Sequence, residues 1–323
     1  MRLSRPVVAA MLVSVGAVTA YQYFRQVDYP FHDGRVATHR QLLEGAELSP
    51  FRYRVLVPFA VEGLIRGLST ALGPRLAFLA AYAVYDGIVF VALFGTLYGY
   101  LRRWFPPDGS LLAVLFTGAT MPVALRDHYF QPWSPLEVVL FTAGLWLASR
   151  RRHAWLALVV VAAALNRETA LFLVVALLLA DLDVLGPWRE RPPAAWRGPV
   201  LRGALHLGLW LAVFAGLRVA LGPAPPAHTL GEIWAINTTA ARGLRALATG
   251  VLFLGAFWAF AALGWRTAPR FAKNAALVVP AYLVAMGLFG EWHETRLLMT
   301  LYPFLLPLVL GFLYGPRPVG GRD

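Results

Sequence analysis

The stretch LAFLAAYAVYDGIVFVALFGTLYGYL, residues 76–101, carries a single charge, Asp86, in an otherwise apolar run. A helix needs about 20 such residues to cross a bilayer, and in hydrocarbon it can satisfy its own backbone groups. The stretch therefore reads as a transmembrane span. Working outward from it, apolar runs recur from Val7 to Tyr314, in a chain of 323 residues that is 59% hydrophobic with a mean hydropathy of +0.60. Composition points to an all-α polytopic bundle and overrides the soluble domains that length alone suggests.

Further spans are expected near 109–125, 134–149, 153–166, 168–184, 201–221, 244–264, 274–290 and 297–315. The N-terminal run MRLSRPVVAAMLVSVGAVTAYQ has features of a signal peptide, with Arg2 and Arg5 ahead of an apolar run and small residues at Val18 and Ala20. Its apolar character continues to Phe24, so it reads as a retained first anchor. The expectation is about ten spans in one integral domain, 1–323. The first span is 1–24, an external loop follows over 25–75, the remaining spans occupy 76–315, and 316–323 form a cytoplasmic tail.

Charge supplies the orientation. The net charge is +12, and Lys273 is the one lysine, so apart from the histidines the basic residues are arginines. In a membrane protein this marks cytoplasmic loops rather than nucleic-acid binding. With the N-terminus inside, strict alternation puts 102–108, 150–153, 185–200 and 265–274 inside. These segments hold Arg102, Arg103, Arg150, Arg151, Arg152, Arg189, Arg191, Arg197, Arg266, Arg270 and Lys273. The alternation requires that 53–72 does not span. Arg54, Glu62 and Arg66 fall on one helical stripe there, which suits an interfacial amphipathic helix. The absence of cysteine excludes disulfides and thiolate chemistry.

Polar residues then gather on the outer side. Asp33, in FHDGRVATHRQLLEG, fits either a general base or a carboxylate favouring a helix N-terminus. Arg52 and Arg54, in PFRYRVLVP, suit a lipid phosphate, or snorkel to ordinary anionic lipid. RDHYFQPWSPLE offers Asp127, His128, Gln131 and Trp133, a mixture that holds sugars by hydrogen bonds and stacking. NRET supplies Arg167 and Glu168 between two apolar runs, either as a tight turn or as a site. GEWHETR brings Glu291, His293, Glu294 and Arg296 to a helix mouth, where ionisable groups are costly unless paired or bound. Asp86 needs a partner within the membrane, and Arg218 is the one offered. His32, Asp33 and His39 can ligate a divalent ion, but no close-spaced metal signature, phosphate loop, dinucleotide fingerprint or nucleophile elbow occurs.

The layout resembles the GT-C superfamily of polytopic glycosyltransferases, the lipid-linked mannosyltransferases in particular. The similarity lies in the long first external loop bearing Asp33 and in His293-Glu294-Thr295-Arg296 near the last span, which is similar to a late His-Lys-Glu-x-Arg signature. Asp28 and Asp33 stand five apart where that family often has a tight acidic pair, and the late motif lacks its lysine. The resemblance implies transfer of a sugar, with inversion, from a polyprenyl-phosphate donor at the outer face of a bacterial plasma membrane. Asp33 would be the base. Arg52, Arg54, Asp127, His128, Gln131, Trp133, Arg167, Glu168, His293, Glu294 and Arg296 would bind substrate. It implies no cofactor beyond a possible divalent ion. Its partners would be the lipid-linked donor, membrane lipids and an envelope-biosynthesis complex, with both termini cytoplasmic. Two other classes compete: a transporter or flippase for lipid-linked sugars, and a non-catalytic subunit of an envelope-assembly complex.

Overall fold

The computed structural model describes residues 4–125, 131–187, 192, 194–292 and 294–315. Among them the chain is helical, with no strand beyond one isolated bridge, Ser49 to Pro226. The first helix, α1 (Arg5–Tyr23), runs on through a π turn, Phe24–Asp28. Then come α2 (His32–Leu43), a 3-10 turn at Phe51–Tyr53, and α3 (Leu56–Leu68). The bundle continues with α4 (Pro74–Leu101), α5 (Pro107–Ala124), α6 (Trp133–Ser149), α7 (His153–Asn166), α8 (Ala170–Leu182) and α9 (Ala194–Leu221). It closes with α10 (Leu230–Thr238), α11 (Ala240–Leu254), α12 (Phe257–Gly264), α13 (Arg270–Ala276), α14 (Val279–Phe289), α15 (Thr295–Met299) and α16 (Tyr302–Tyr314).

Four stretches are long and apolar enough to cross a membrane: Arg5–Asp28, Pro74–Leu101, Ala194–Leu221 and Arg270–Phe289. Four shorter apolar helices, α6, α7, α8 and α16, pack beside them. The expected series of ten spans is thus not met by length and composition among the described residues. The cause is local. The expected run 244–264 breaks at Gly255, whose φ of 49° ends α11 before α12 begins. The run 297–315 likewise breaks at Thr300 and Leu301, after which Pro303 restarts the chain as α16.

The core joins α4, α5, α6, α8, α12, α13 and α16 through residues such as Phe90, Phe94, Leu97, Phe141, Leu173 and Leu306. The α12–α16 contact is close enough that a Cβ on Gly264 would run into the backbone carbonyl of Leu308. Small residues let helices approach in this way where the surroundings are apolar and burial alone gives little preference for helix–helix contact. The outer faces of α1 and α9 remain apolar and uncovered, with Val18 56% and Val219 86% exposed. A face of this kind suits lipid rather than water.

The helices α2 and α3 lie on the first half of α4, where Leu42, Val57 and Val61 meet Phe78, Ala81 and Tyr82. The outer face of α3 carries the Glu62–Arg66 pair at 2.7 Å. Arg54 departs from the expected stripe, because α3 starts two residues after it and the 3-10 turn directs its side chain inward, leaving it 4% exposed.

Candidate functional site

One end of the bundle encloses a cavity of about 560 Å³. Three chain segments cover it. Ser49, Pro50 and Phe51 come from the first loop, Pro226, Ala227 and His228 from the α9–α10 connector, and Glu291 and Glu294 from the segment before α15. The first two segments are stitched together, since Ser49 N–H donates to Pro225 O at 2.9 Å and Ala227 N–H donates to Ser49 O at 2.8 Å. Leu171, Phe172, Ile233, Met286 and Leu297 make the deeper wall apolar. At the rim stand Leu230, 60% exposed, and Phe289, 69% exposed.

Six of the residues expected from sequence line this cavity: Arg54, Gln131, Arg167, Glu168, Glu294 and Arg296. The fork of Arg54 grips Glu168, with Nε to Oε2 at 3.2 Å and Nη2 to Oε1 at 2.5 Å. Its third contact is Gln131 Oε1 at 3.5 Å, and its guanidinium lies over the Phe51 and Trp133 rings at 4.9 and 5.2 Å. Burial pulls Arg54 down from the ordinary guanidinium value to about 10, and the Glu168 carboxylate pulls against it. For Glu168, burial pushes the carboxyl up, but Arg54 and then Arg167 outweigh it and hold the group below the usual carboxylate range.

Arg167 is placed by the α7–α8 turn, where the helix stops after Asn166 because Arg167 takes an extended backbone. Its Nη1 donates to Glu137 Oε2 at 2.8 Å. Glu137 also accepts from Thr169 and, at 3.3 Å, from Thr300. Arg296, in the first turn of α15, donates to Glu294 Oε1 at 2.5 Å. The cavity therefore holds three arginines against the carboxylates of Glu168, Glu291 and Glu294. The first and last of these are locked onto guanidiniums, whereas Glu291 Oε1 faces His228 Nε2 at 4.0 Å.

The other expected residues go elsewhere. Asp33 lies in the first turn of α2, outside the cavity lining, with a side chain 99% exposed. Its hydrogen bond with His32 Nδ1 holds its carboxyl below the ordinary value, so it is a weak base. Arg52 does not reach the cavity either. Its guanidinium donates to the carbonyls of Leu221 and Pro223, where it closes the C-terminus of α9. Trp133 is buried behind the site, and its indole N–H donates to Gln131 Oε1 at 3.1 Å, fixing the amide that Arg54 uses. Asp127, His128 and His293 lie outside the described residues.

The partner offered for Asp86 also changes. Arg218 sits over the Phe214 and Tyr53 rings, and the charge acting on Asp86 is that of Arg35, which pairs with buried Asp28. The divalent site is not assembled: His39 turns to the Tyr82 hydroxyl at 2.9 Å and to Glu62 at 3.3 Å, away from the His32–Asp33 pair. No group of three metal-ligating side chains occurs among the described residues.

Sequence reasoning passed over Glu137, Tyr282 and His228. Glu137 had a usable signal, as a carboxylate one turn into an apolar helix is costly unless it serves as a counter-ion. Tyr282 and His228 had none, since each joins the site only through the folding of α10 and α14 around it. Comparison of the chain with family profiles, with curated proteins and with solved structures finds no match.

Proposed function

We propose that the protein is a membrane glycosyltransferase that moves a sugar from a polyprenyl-phosphate donor to an acceptor hydroxyl in this cavity. One observation carries the reading. Arg54, Arg167 and Arg296 converge on a cavity that also has an apolar wall, from Leu171 and Phe172 to Met286 and Phe289. Guanidinium forks match phosphate oxygens, and the apolar wall suits the first isoprene units of a lipid carrier. Gln131, Glu168 and Glu294 add the hydrogen-bonding groups that a sugar requires.

The chemistry is a single displacement. The acceptor oxygen bonds to the anomeric carbon from the face opposite the phosphate, the carbon–oxygen bond to phosphate breaks, and the configuration inverts. The acceptor proton passes to a carboxylate. Glu291 suits that role better than Asp33, because it lines the cavity, while Asp33 stands in water. The arginines take the charge that develops on the departing polyprenyl phosphate. The cavity end is the outer face of a bacterial plasma membrane in this reading, since the arginine-rich turns lie at the far end of the helices. Transport is the weaker alternative, because the packed side chains of α4, α6 and α8 separate this cavity from the other end of the bundle.

The test uses the purified chain in lipid nanodiscs with radiolabelled polyprenyl-phosphate sugars. Release or transfer of label is expected, with Glu291→Gln abolishing turnover by about a hundredfold or more while donor binding is retained. No release from any donor, together with no binding of polyprenyl phosphate, would refute the reading.

A further inference from the structure

The far end of the bundle holds a second cavity, of about 400 Å³, formed where the arginine-rich turns meet. Arg103 comes from the α4–α5 turn, Arg151 from the α6–α7 turn, His153 from the start of α7, and Asp181 and Asp183 from the end of α8. Arg202 and His206 come from α9, and Arg270 and Asn274 from α13. This cavity lies across the bundle from the first. The helix α6 has Gln131 just before it at one cavity and Ser149 at the other, and its 17 residues rise about 25 Å at 1.5 Å each.

The acids in this cavity are already matched. Arg202 holds Asp181 through two bonds, Nε to Oδ2 at 2.7 Å and Nη2 to Oδ1 at 3.1 Å. Arg270 Nε lies 2.6 Å from Asp183 Oδ1, which also accepts from Asn274 Nδ2 at 2.8 Å. Arg103 and Arg151, both exposed residues at the cavity mouth, have no carboxylate partner among the described residues.

The imidazoles point the same way. His206 lines the cavity beside His153 and is 4% exposed as a whole residue. His153 Nδ1 is buried without a hydrogen-bond partner. A buried polar group without a hydrogen bond is costly, and such groups are rare unless something else satisfies them. Arg151 is also held at a φ of 56°, where glycine is the unstrained choice, so the turn keeps an arginine at a position that its backbone disfavours.

We propose that this cavity is an anion site for a phosphate group, bridged by Arg103 and Arg151 and hydrogen-bonded by His206 and His153. Phosphate presents oxygens to all four donors at once, and the volume falls within the range of about 300–1,000 Å³ typical of small-ligand sites. The same chemistry has two sources, the phosphate of an anionic lipid in the adjoining leaflet and a free phosphate from the aqueous side. Basic pockets between membrane helices serve the first of these. The site is independent of the sugar-transfer cavity, with which it shares no residue.

The experiment places the purified protein in nanodiscs of phosphatidylcholine alone and follows its thermal unfolding as inorganic phosphate is added. A second series replaces part of the phosphatidylcholine with phosphatidylglycerol and adds no phosphate. Stabilisation by phosphate in the neutral discs assigns the site to the free ion, and stabilisation by phosphatidylglycerol alone assigns it to a lipid headgroup. Either response should fall by about tenfold or more in apparent affinity in the Arg103→Gln/Arg151→Gln double variant. Arg151→Gly suits the left-handed turn while removing the guanidinium, so its loss of response guards against misfolding of the double variant. No response in either series overturns the proposal, as does a response that survives in both arginine variants.

Discussion

Arg54 and Glu168 should change donor binding in opposite directions, although they are bonded to each other. Arg54→Lys keeps the charge but loses the fork that reaches Glu168 and Gln131, and loses its planar stacking on Phe51 and Trp133. Losing one hydrogen bond to a charged group costs about 1.5–3 kcal/mol, or roughly ten- to a hundredfold in affinity. Glu168→Gln removes a negative charge that a bound phosphate would face. Two unit charges about 6 Å apart at an effective dielectric of about 20 interact by roughly 3 kcal/mol. Glu168 keeps 30% of its side chain exposed, and halving the figure for screening leaves about 1.5 kcal/mol, a tightening of roughly tenfold. The assay is equilibrium binding of a short-chain polyprenyl phosphate to the protein in phosphatidylcholine nanodiscs. Weaker binding in Glu168→Gln with unchanged binding in Arg54→Lys would refute the phosphate role and leave the pair as a structural clamp.

Other consequences concern stability and pH. Glu137→Gln should strand the guanidinium of Arg167, since the two side chains are 2% and 7% exposed, and breaking such a buried pair costs about 3–5 kcal/mol. Denaturant or thermal unfolding in discs measures it, and a loss below about 1 kcal/mol would mean that Arg167 finds another counter-ion. Gly264→Ala should destabilise by about 1–3 kcal/mol through the α12–α16 contact, despite the better helix propensity of alanine. Gly208→Ala, where nothing lies within 4 Å of the new Cβ, should be neutral or mildly stabilising in the same melting experiment. Burial holds His39 below its ordinary pKa, with Glu62 opposing it, so the unfolded chain takes up this proton at a higher pH than the folded one. This contribution to stability is complete above about pH 6.5 and is lost as pH falls toward the folded value. His39→Gln should flatten that part of the pH–stability profile; an unchanged slope would place its origin in another group.

The polar residues of the site were legible because an ionisable group in an apolar chain stands out without any knowledge of packing. Arg54, Arg167, Glu168, Glu294 and Arg296 were visible on that ground, and the fold brings all five to one cavity. Side-chain direction was not legible. Arg52 and Arg54 differ by two positions, yet one closes α9 and the other enters the cavity, because the 3-10 turn at Phe51–Tyr53 separates their paths. Asp33 looked like a site residue for its position after the first span, but its exposure depends on how α2 lies against α4. The expected span count goes beyond the four long apolar stretches for a related reason. Hydropathy reads apolar character through Gly255 and Thr300, while the backbone stops and restarts there.

Two of the three covering segments are stitched at Ser49 and Pro226, and Leu230 and Phe289 stand exposed at the cavity rim. A lipid-linked substrate would slide in sideways beneath that cover and never leave the bilayer. Its effective concentration would then be a surface density: diluting the donor with inert phospholipid should slow the reaction, whereas adding more discs of the same composition should not. The acceptor would have to arrive by a different route, around the cover from water, and its saturation would follow its bulk concentration. Two substrates would thus be measured on two scales, one in two dimensions and the other in three.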